Sequence, residues 1–336
     1  MIAAASLELN TLSLSQQGRV LTATFADPPN HFLSLRLVKD LDRLTRIADR
    51  DPSVGAVILT GTGSKFVSHS EPEQVSQFFE MTTPPIPGRL AQWSIKLNNA
   101  TMRVPGMQKL TETRGGDWGS GIVYSAVLKR TIMRMNRSGV VYIAAINGAA
   151  LGGGFELALF CDLRLAADSE DVRIGLIEIL AGLIPGGGGS LRLPAILGTA
   201  KALEHMLEGC PLSATEALDA GLVHRVVASE GLLEEAQATA ERIARRSPYA
   251  VSALKRAVYF NAHRALPAQL DFELACFIGT GRNPRKHLTA NAFRKDLDRL
   301  GDSPFVADID PWIGGTRGEF GADTDGERPL ARRNRE

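Results

Sequence analysis

The order of apolar and polar positions along the chain predicts strands that alternate with helices. Two continuous apolar runs, Val54–Thr60 and Val140–Ile146, are typical of strands that are buried on both faces. Residues 19–25 predict another strand, with Leu12–Ser15 as its hairpin partner, and Leu163–Ala167 predict a further one. Strands that alternate with helices favour an α/β fold with parallel pairing.

The helical patterns lie between these strands and after them. Apolar residues recur at helical spacing after Ser34, a good N-cap residue, and Asp51 with the proline behind it ends that helix. A second helix is predicted from about Gly153 to Phe160. After Pro194 the chain is mostly helical, with clear patterns over Leu232–Arg246, Pro248–Phe260 and Leu266–Ile278.

Two segments depart from this alternation. Residues 72–125 are rich in proline and glycine, carry Trp93 and Trp118, and have weak periodicity. Two interpretations stay open for them: a solvated surface excursion, or a lid over a substrate, because long loops in compact domains are often functional. The polar stretch 314–336 predicts a mobile tail.

The composition narrows the class of protein. The chain has 336 residues and 44% hydrophobic content, enough to bury a sizeable core. Its net charge of +1 gives no general attraction to nucleic acid. No apolar stretch approaches the roughly 18 residues of a membrane span, and the start lacks a basic signal region. The three cysteines form no CxxC pair, so we expect no disulfide framework, no metal site and a cytoplasmic location.

Candidate chemistry begins at the glycine-rich turn Gly152-Gly153-Gly154, which follows a buried strand and opens a helix. The first N–H groups of a helix have no helical partner, so they can stabilise an oxyanion. The glycines can equally serve tight packing between strand and helix. A dinucleotide fingerprint is not satisfied, because Glu156 stands where G-x-G-x-x-G requires its last glycine.

A second carboxylate, Glu178, lies alone within the apolar run Ile174–Leu180. Because burying a lone acid is costly, Glu178 either faces solvent or lines a cleft with a raised pKa, which suits general acid–base chemistry. A second glycine-rich turn, Gly182–Ser190, follows it.

Together these motifs resemble a known family. The run Asn147–Ala158, then Cys161-Asp162, Glu178 and Ile184-Pro185-Gly186 look like the signature of the crotonase (enoyl-CoA hydratase/isomerase) superfamily. The resemblance covers about residues 7–300, interrupted at 72–125. It implies a spiral of ββα repeats over 1–195, a helical C-terminal oligomerisation region over 196–313, and homotrimers or hexamers. It also implies an acyl-CoA substrate and no cofactor apart from the coenzyme A of that substrate.

The resemblance also assigns roles by position. Two backbone N–H groups, of Ser70 and Gly153, would form the oxyanion hole, and Glu156 and Glu178 would be catalytic. The loop before the first donor differs from the usual Ala-Gly-Ala/Gly-Asp, because it reads Ser68-His69-Ser70-Glu71. His69 is therefore either a new acid–base group or a replacement of glycine in a tolerant loop. The candidate substrate-pocket residues are His69, Glu71, Gly152 and Gly186.

In the family that the chain resembles, hydratases have acids at both of these positions, so the pair favours hydration of a 2-enoyl-CoA over isomerisation. Adding water across a conjugated thioester needs one group to activate water and another to protonate the α-carbon. In the family, isomerases typically need only the acid matched by Glu178. Other reactions stay open, namely isomerisation, decarboxylation, and carbon–carbon lysis or hydrolysis. A non-catalytic acyl-CoA-binding protein is a further alternative.

Overall fold

The computed structural model describes residues 3–27, 31–71, 88–260, 266–280, 283–301, 303–313 and 316–317. Within these ranges the strands are β1 (Leu12–Gln17), β2 (Val20–Phe25), β3 (Ala56–Thr60), β4 (Lys65–Val67), β5 (Val141–Ile146), β6 (Ala149–Leu151), β7 (Leu163–Asp168), β8 (Ile174–Gly175) and β9 (Arg225–Ala228). All but residues 316 and 317 of the predicted tail, 314–336, lie outside the described residues.

The helices of the described ranges follow the same chain order. They are α1 (Leu35–Ala48), α2 (Gly88–Thr101), α3 (Met107–Met135), α4 (Gly153–Leu159), α5 (Gly189–Leu197), α6 (Thr199–Glu208), α7 (Ala214–Asp219), α8 (Leu232–Ala244), α9 (Pro248–Tyr259), α10 (Leu266–Thr280), α11 (Lys286–Leu300), α12 (Pro304–Ala307) and α13 (Asp310–Ile313). None of them is long and apolar enough to cross a membrane.

Two sheets form the core, and from β3 onward consecutive strands alternate between them. The large sheet has the order β1-β2-β3-β5-β7-β9, and all of its pairs are parallel except the β1–β2 hairpin. The small sheet has the order β4-β6-β8 and is parallel. The chain therefore places β3, β5 and β7 in the large sheet and the strand after each in the small one. The predicted α/β class with parallel pairing is confirmed.

The large sheet is covered by helix α8. Every residue of β3 and β5 is buried, which explains why both strands read as continuous apolar runs. Helix α8 packs across β2, β3, β5 and β7 with the small buried side chains of Ala236, Ala240 and Ala244. Small side chains let the helix axis approach the sheet closely, which keeps the strand ends beneath it in a fixed position.

Helix α1 begins as predicted, because the Ser34 hydroxyl accepts a hydrogen bond of 3.2 Å from the Leu37 N–H. Its Asp42 accepts hydrogen bonds from Arg130 and Arg134 of α3, at 2.8 Å in each ion pair. Burial alone would raise the pKa of Asp42, but these two guanidinium groups outweigh burial and hold the pKa below its ordinary value. The ion pairs fix α3 onto α1.

The segment 72–125 contains regular structure that its weak periodicity did not indicate. Residues 88–101 are helix α2, and residues from Met107 onward belong to α3, which continues past 125 to Met135. Residues 72–87 lie outside the described backbone. Apart from the turn residues 102–106, the described part of the segment is therefore helical, and its Glu112 forms an ion pair of 2.7 Å with Lys39 of α1.

Candidate active site

The small sheet brings together three segments that are far apart in the sequence. Strand β6 lies between β4 and β8, so the chain leaves all three parallel strands at the same edge. At that edge the Leu151 N–H donates to the Ser68 carbonyl at 3.1 Å, and the Gly152 N–H donates to the Gly175 carbonyl at 2.8 Å. The residues that follow each strand therefore meet in one place.

The turn from β6 into α4 depends on Gly152. Its φ of +48° is a conformation that residues with a Cβ rarely adopt, so a glycine suits the turn from the strand into the helix. A Cβ at Gly152 would lie 3.4 Å from a carboxylate oxygen of Glu178. The turn and the second predicted acid are therefore in direct contact.

The two predicted oxyanion donors also lie side by side. A Cβ built on Gly153 would come within 2.5 Å of the Ser70 hydroxyl oxygen. Gly153 is the first residue of α4, so its N–H has no acceptor within the helix. Ser70 forms an isolated parallel bridge with Leu33, whose N–H donates to the His69 carbonyl at 2.8 Å. Among the described residues, the Ser70 N–H has no acceptor, which leaves both amides free for a ligand oxygen.

Glu156 is a buried carboxylate that the second glycine-rich turn surrounds. The Gly187 N–H donates to its two oxygens at 2.8 and 2.9 Å, and the Gly189 N–H donates at 2.8 Å. Burial raises the pKa of Glu156, while these N–H groups act in the opposite direction because they favour the charged form. The side chain is therefore oriented by the backbone and kept as a hydrogen-bond acceptor.

Glu178 is in a different electrostatic state. It begins the short 3-10 helix Glu178–Ala181, and both carboxylate oxygens are buried without a hydrogen-bond partner of ordinary geometry among the described residues. Burial, with a contribution from the charge of Glu156, raises the pKa of Glu178 to about 7. A carboxylate with this pKa can both give and take a proton near neutral pH.

The other predicted pocket residues divide between the site and its border. The His69 Nδ1 donates to the Ser70 carbonyl at 2.7 Å, and its ring lies 4.7 Å from that of Phe32. Glu71 lies near enough to Tyr124 to influence its pKa. Gly186 is exposed, and a Cβ there would meet no atom within 4 Å. The neighbouring Gly187 and Gly189, which the sequence analysis named only as part of the second glycine-rich turn, are the residues that donate to Glu156.

Tyr124 of helix α3 is a site residue that the sequence reasoning missed. Its hydroxyl lies close enough to Ser70, Glu156 and Glu71 for these groups to affect its pKa. Burial raises the pKa of Tyr124, and the two carboxylates add to that rise. A signal did exist, because Val123, Val127 and the residues after them have helical spacing and are buried.

The assembled groups define a site for acid–base chemistry on a carbonyl compound. Two N–H groups can bind an oxygen that gains negative charge, and two carboxylates of different pKa lie next to them. Among the described residues, no group of three or more His, Cys, Asp or Glu is arranged to hold a metal ion. Such a site suits an enzyme that forms and protonates an enolate.

Known proteins of similar sequence and structure identify the family. The model of the family described as "Enoyl-CoA hydratase/isomerase" matches residues 108–295, more than half of the chain. The chain is 32% identical to a probable enoyl-CoA hydratase of Bacillus subtilis, over 80% of this chain and 90% of that protein. It is 31% identical to a short-chain-enoyl-CoA hydratase of Clostridium acetobutylicum, over 80% of this chain and 87% of that one.

A solved structure extends the similarity to the fold. The crystal structure of an enoyl-CoA hydratase from Bacillus anthracis superposes with a TM-score of 0.66 at 27% identity, covering 85% of this chain and 97% of that one. The protein is therefore an enzyme of the crotonase type, and its predicted crotonase-like fold is confirmed. The chain belongs to the enoyl-CoA hydratase/isomerase family.

Replacing Gly187 with alanine tests the role of the second glycine turn. A Cβ at Gly187 would lie 2.6 Å from a Glu156 oxygen, so the carboxylate must move. Because misplacing a reacting group by about 1 Å can cost about 100-fold in rate, we expect kcat on an enoyl-CoA thioester to fall by about that factor. Gly231→Ala is the matched control and should keep full activity, because Gly231 has φ −91° and an added Cβ there meets no atom within 4 Å. Equal kcat values for the two variants would contradict this account of Glu156.

Proposed function

We propose that this protein adds water to 2-enoyl-CoA thioesters, and removes it in the reverse direction. The observation that carries the proposal is the pair of adjacent carboxylates in different electrostatic states. Glu156 is held by three backbone hydrogen bonds, whereas Glu178 has a pKa of about 7. Hydration needs one carboxylate to receive a proton and another to deliver one, so the pair matches both requirements.

In this proposal the thioester oxygen binds between the N–H groups of Ser70 and Gly153. These donors stabilise the negative charge that collects on that oxygen when the enolate forms. Their orientation precedes substrate binding, because one belongs to a helix start and the other to a loop that is paired with Leu33. The N-terminus of α4 adds its own partial positive charge.

The proton transfers follow from the states of the two acids. Glu156 takes a proton from a water molecule whose oxygen attacks the β-carbon, and the electrons of the double bond move to the thioester oxygen. Protonated Glu178 then delivers its proton to the α-carbon, which yields the 3-hydroxyacyl thioester. The pair starts and ends with one proton, and transfer from Glu156 back to Glu178 through solvent restores the starting state.

Isomerisation of a double bond is a second candidate, because Glu178, with a pKa of about 7, could by itself move one proton between two carbons. The variants Glu156→Gln and Glu178→Gln separate the two reactions. For a hydratase, each change should lower kcat by about 100- to 10,000-fold, the usual contribution of a general acid or base. For an isomerase, Glu156→Gln should keep most of the activity.

The measurement is turnover of a panel of 2-enoyl-CoAs and 3-enoyl-CoAs, followed by conjugated absorbance and by product mass. The exposed Glu170→Gln is the control for loss of a surface charge. Failure of the unmodified protein to add water to any 2-enoyl-CoA in the panel would refute the hydratase proposal.

The pH dependence of hydration should reflect the single proton shared by the pair. Above pH 7 the pair loses this proton, because the pKa of Glu178 is about 7, and kcat/KM should then fall tenfold per pH unit. Dehydration should show the same alkaline limb, because the equilibrium between the two directions involves no net proton. A flat kcat/KM between pH 7 and 9 would argue against Glu178 as the acid.

The same pKa predicts a change in stability. The pKa of Glu178 rises from 4.5 to about 7 on folding, so the fold disfavours the ionised form. This cost is absent below pH 4.5, grows as the pH rises toward 7, and is complete above it. Glu178→Gln should therefore raise the free energy of unfolding at pH 8, by up to about 3 kcal/mol, and leave it unchanged at pH 4.5. Denaturant unfolding at both pH values checks this.

We also propose that the protein assembles into homotrimers or hexamers. Support comes from the C-terminal helices, where α9 and α10 expose large apolar side chains, namely Leu254, Val258, Leu270, Leu274 and Phe277. Exposed apolar side chains on neighbouring helices are typical of a surface that another protein covers. Sedimentation equilibrium should give three or six times the chain mass of 36.1 kDa. A monomer mass at micromolar concentration would exclude the assembly.

A further inference from the structure

We propose that Arg192 is a positioning residue that holds the second glycine-rich turn against Glu156 through its contact with the ring of Phe160. The inference rests on the proposed function, because it concerns the carboxylate that takes a proton from water. It goes further by assigning a role in the reaction to an arginine of helix α5.

Helix α4 and the start of α5 meet at two places. At the first, the N–H groups of Gly187 and Gly189 donate to the Glu156 carboxylate. At the second, Gly188 lies against Phe160, because a Cβ built on Gly188 would come within 2.6 Å of the end of that ring. The Phe160 N–H donates to the Glu156 carbonyl at 3.3 Å, one turn along the same helix. The contact of Gly188 with Phe160 therefore sets how closely both donors approach the carboxylate.

Arg192 completes the second of these contacts. Its guanidinium carbon lies 4.7 Å from the centroid of the Phe160 ring and 4.1 Å from that of the Tyr259 ring. The guanidinium also donates to the Asn136 side-chain oxygen, and the Asn136 amide donates to the Phe160 carbonyl at 3.0 Å. The Arg192 N–H donates to the Gly188 carbonyl at 3.1 Å. One residue therefore holds both Gly188 and the aromatic ring against which Gly188 packs.

The two aromatic rings fix the guanidinium group in turn. The Arg192 Nε is buried without a hydrogen-bond partner among the described residues, so the faces of the two rings stabilise the cation there. Tyr259 is itself held, because its hydroxyl donates to Asp162 at 3.0 Å. Asp162 forms an ion pair of 2.7 Å with the buried Lys255. These contacts keep the arginine against Phe160.

The glycine-rich turn needs such an anchor. Glycine loses more conformational freedom on folding than any other residue, and the turn Gly182–Ser190 contains five glycines. Gly189 is its one buried residue, and the Ile184 side chain is 77% exposed. The turn therefore gains little from packing of its own side chains. Arg192 supplies a contact from the first turn of the helix that follows.

The test compares Arg192→Met with Arg137→Met. Arg137 is exposed and lies over the Phe260 ring at 5.0 Å, so this control removes an arginine–aromatic contact that involves neither Phe160 nor Gly188. A displacement of 1 Å can cost about 100-fold in rate, so a smaller shift of the turn in Arg192→Met should lower kcat about tenfold. KM should stay within about twofold, and Arg137→Met should keep full activity. Full activity of Arg192→Met would overturn the proposal.

Coupling with the glycine turn shows whether Arg192 acts through Glu156. In a Gly187→Ala protein the carboxylate is already displaced, so adding Arg192→Met should change kcat by less than about twofold. Independent losses, which would multiply to about 1,000-fold in the double variant, would contradict the proposal.

A second pair of variants serves if Arg192→Met does not fold. Tyr259→Phe keeps the ring face that contacts Arg192, whereas Tyr259→Leu removes it. The leucine variant should therefore lose about tenfold in kcat relative to the phenylalanine variant. Equal kcat values for these two proteins would refute the role of the stacked arginine.

A titration separates this proposal from the hydratase proposal, because it needs no turnover. Burial raises the pKa of Glu156, and the N–H groups of the turn oppose that rise. If the turn moves away in Arg192→Met, the pKa of Glu156 should rise further, whereas Arg137→Met should leave it unchanged. The charge of Glu178 and the hydroxyl of Tyr124 also face Glu156, and both are the same in the two variants.

Carbon-13 NMR of labelled glutamate carboxyl groups measures this pKa, and the signal that disappears in Glu156→Gln identifies the residue. If Arg192→Met raises the pKa of Glu156 but the unmodified protein hydrates no 2-enoyl-CoA, only the hydratase proposal fails. If the pKa of Glu156 is the same in Arg192→Met and in the unmodified protein, the positioning role of Arg192 is refuted.

Discussion

The pairing of three short parallel strands is the constraint on which the rest of the site depends. Two backbone hydrogen bonds, from Leu151 to Ser68 and from Gly152 to Gly175, join segments that are more than twenty residues apart. A slip of one residue in β6 would turn its side chains to the opposite face and displace the α4 turn. The oxyanion donors and both glutamates would then no longer meet. The large sheet and α8 serve this arrangement by fixing where the small strands begin.

Burying the two carboxylates of the site costs free energy, and this cost differs between Glu156 and Glu178. Two carboxylates lie in a region with little solvent, which favours protonation of both. The N–H groups of Gly187 and Gly189 offset this cost for Glu156, whereas Glu178 has no comparable donors among the described residues. The resulting difference in proton affinity is the property that acid–base chemistry on an enolate needs. If both carboxylates had the same surroundings, their proton affinities would be similar. Neither would then be suited to act as the acid while the other acts as the base.

Helix α3 illustrates why one part of the site could not be predicted. Gly116 has non-helical backbone angles, φ 53° and ψ −134°, so the helical run is interrupted there. Apolar residues before this kink are largely exposed, and regular burial begins only at Val123. Periodicity averaged over 72–125 is therefore weak, although the final turns are strongly patterned. Tyr124 lies at the point where the regular pattern begins, so only the last few positions of the segment indicated it.

The sequence by itself determined the α/β class, the strands β2, β3, β5 and β7, and the candidate residues Gly153, Glu156 and Glu178. These features are local, because contiguous residues specify a buried strand, a helix start or a distinctive glycine turn. Only the tertiary structure decided which groups contact the glutamates. The roles of Gly187 and Gly189, the position of Tyr124 near Glu156, and the raised pKa of Glu178 all arise from distances between remote segments. Burial and hydrogen-bond geometry depend on those distances, and no local pattern encodes them.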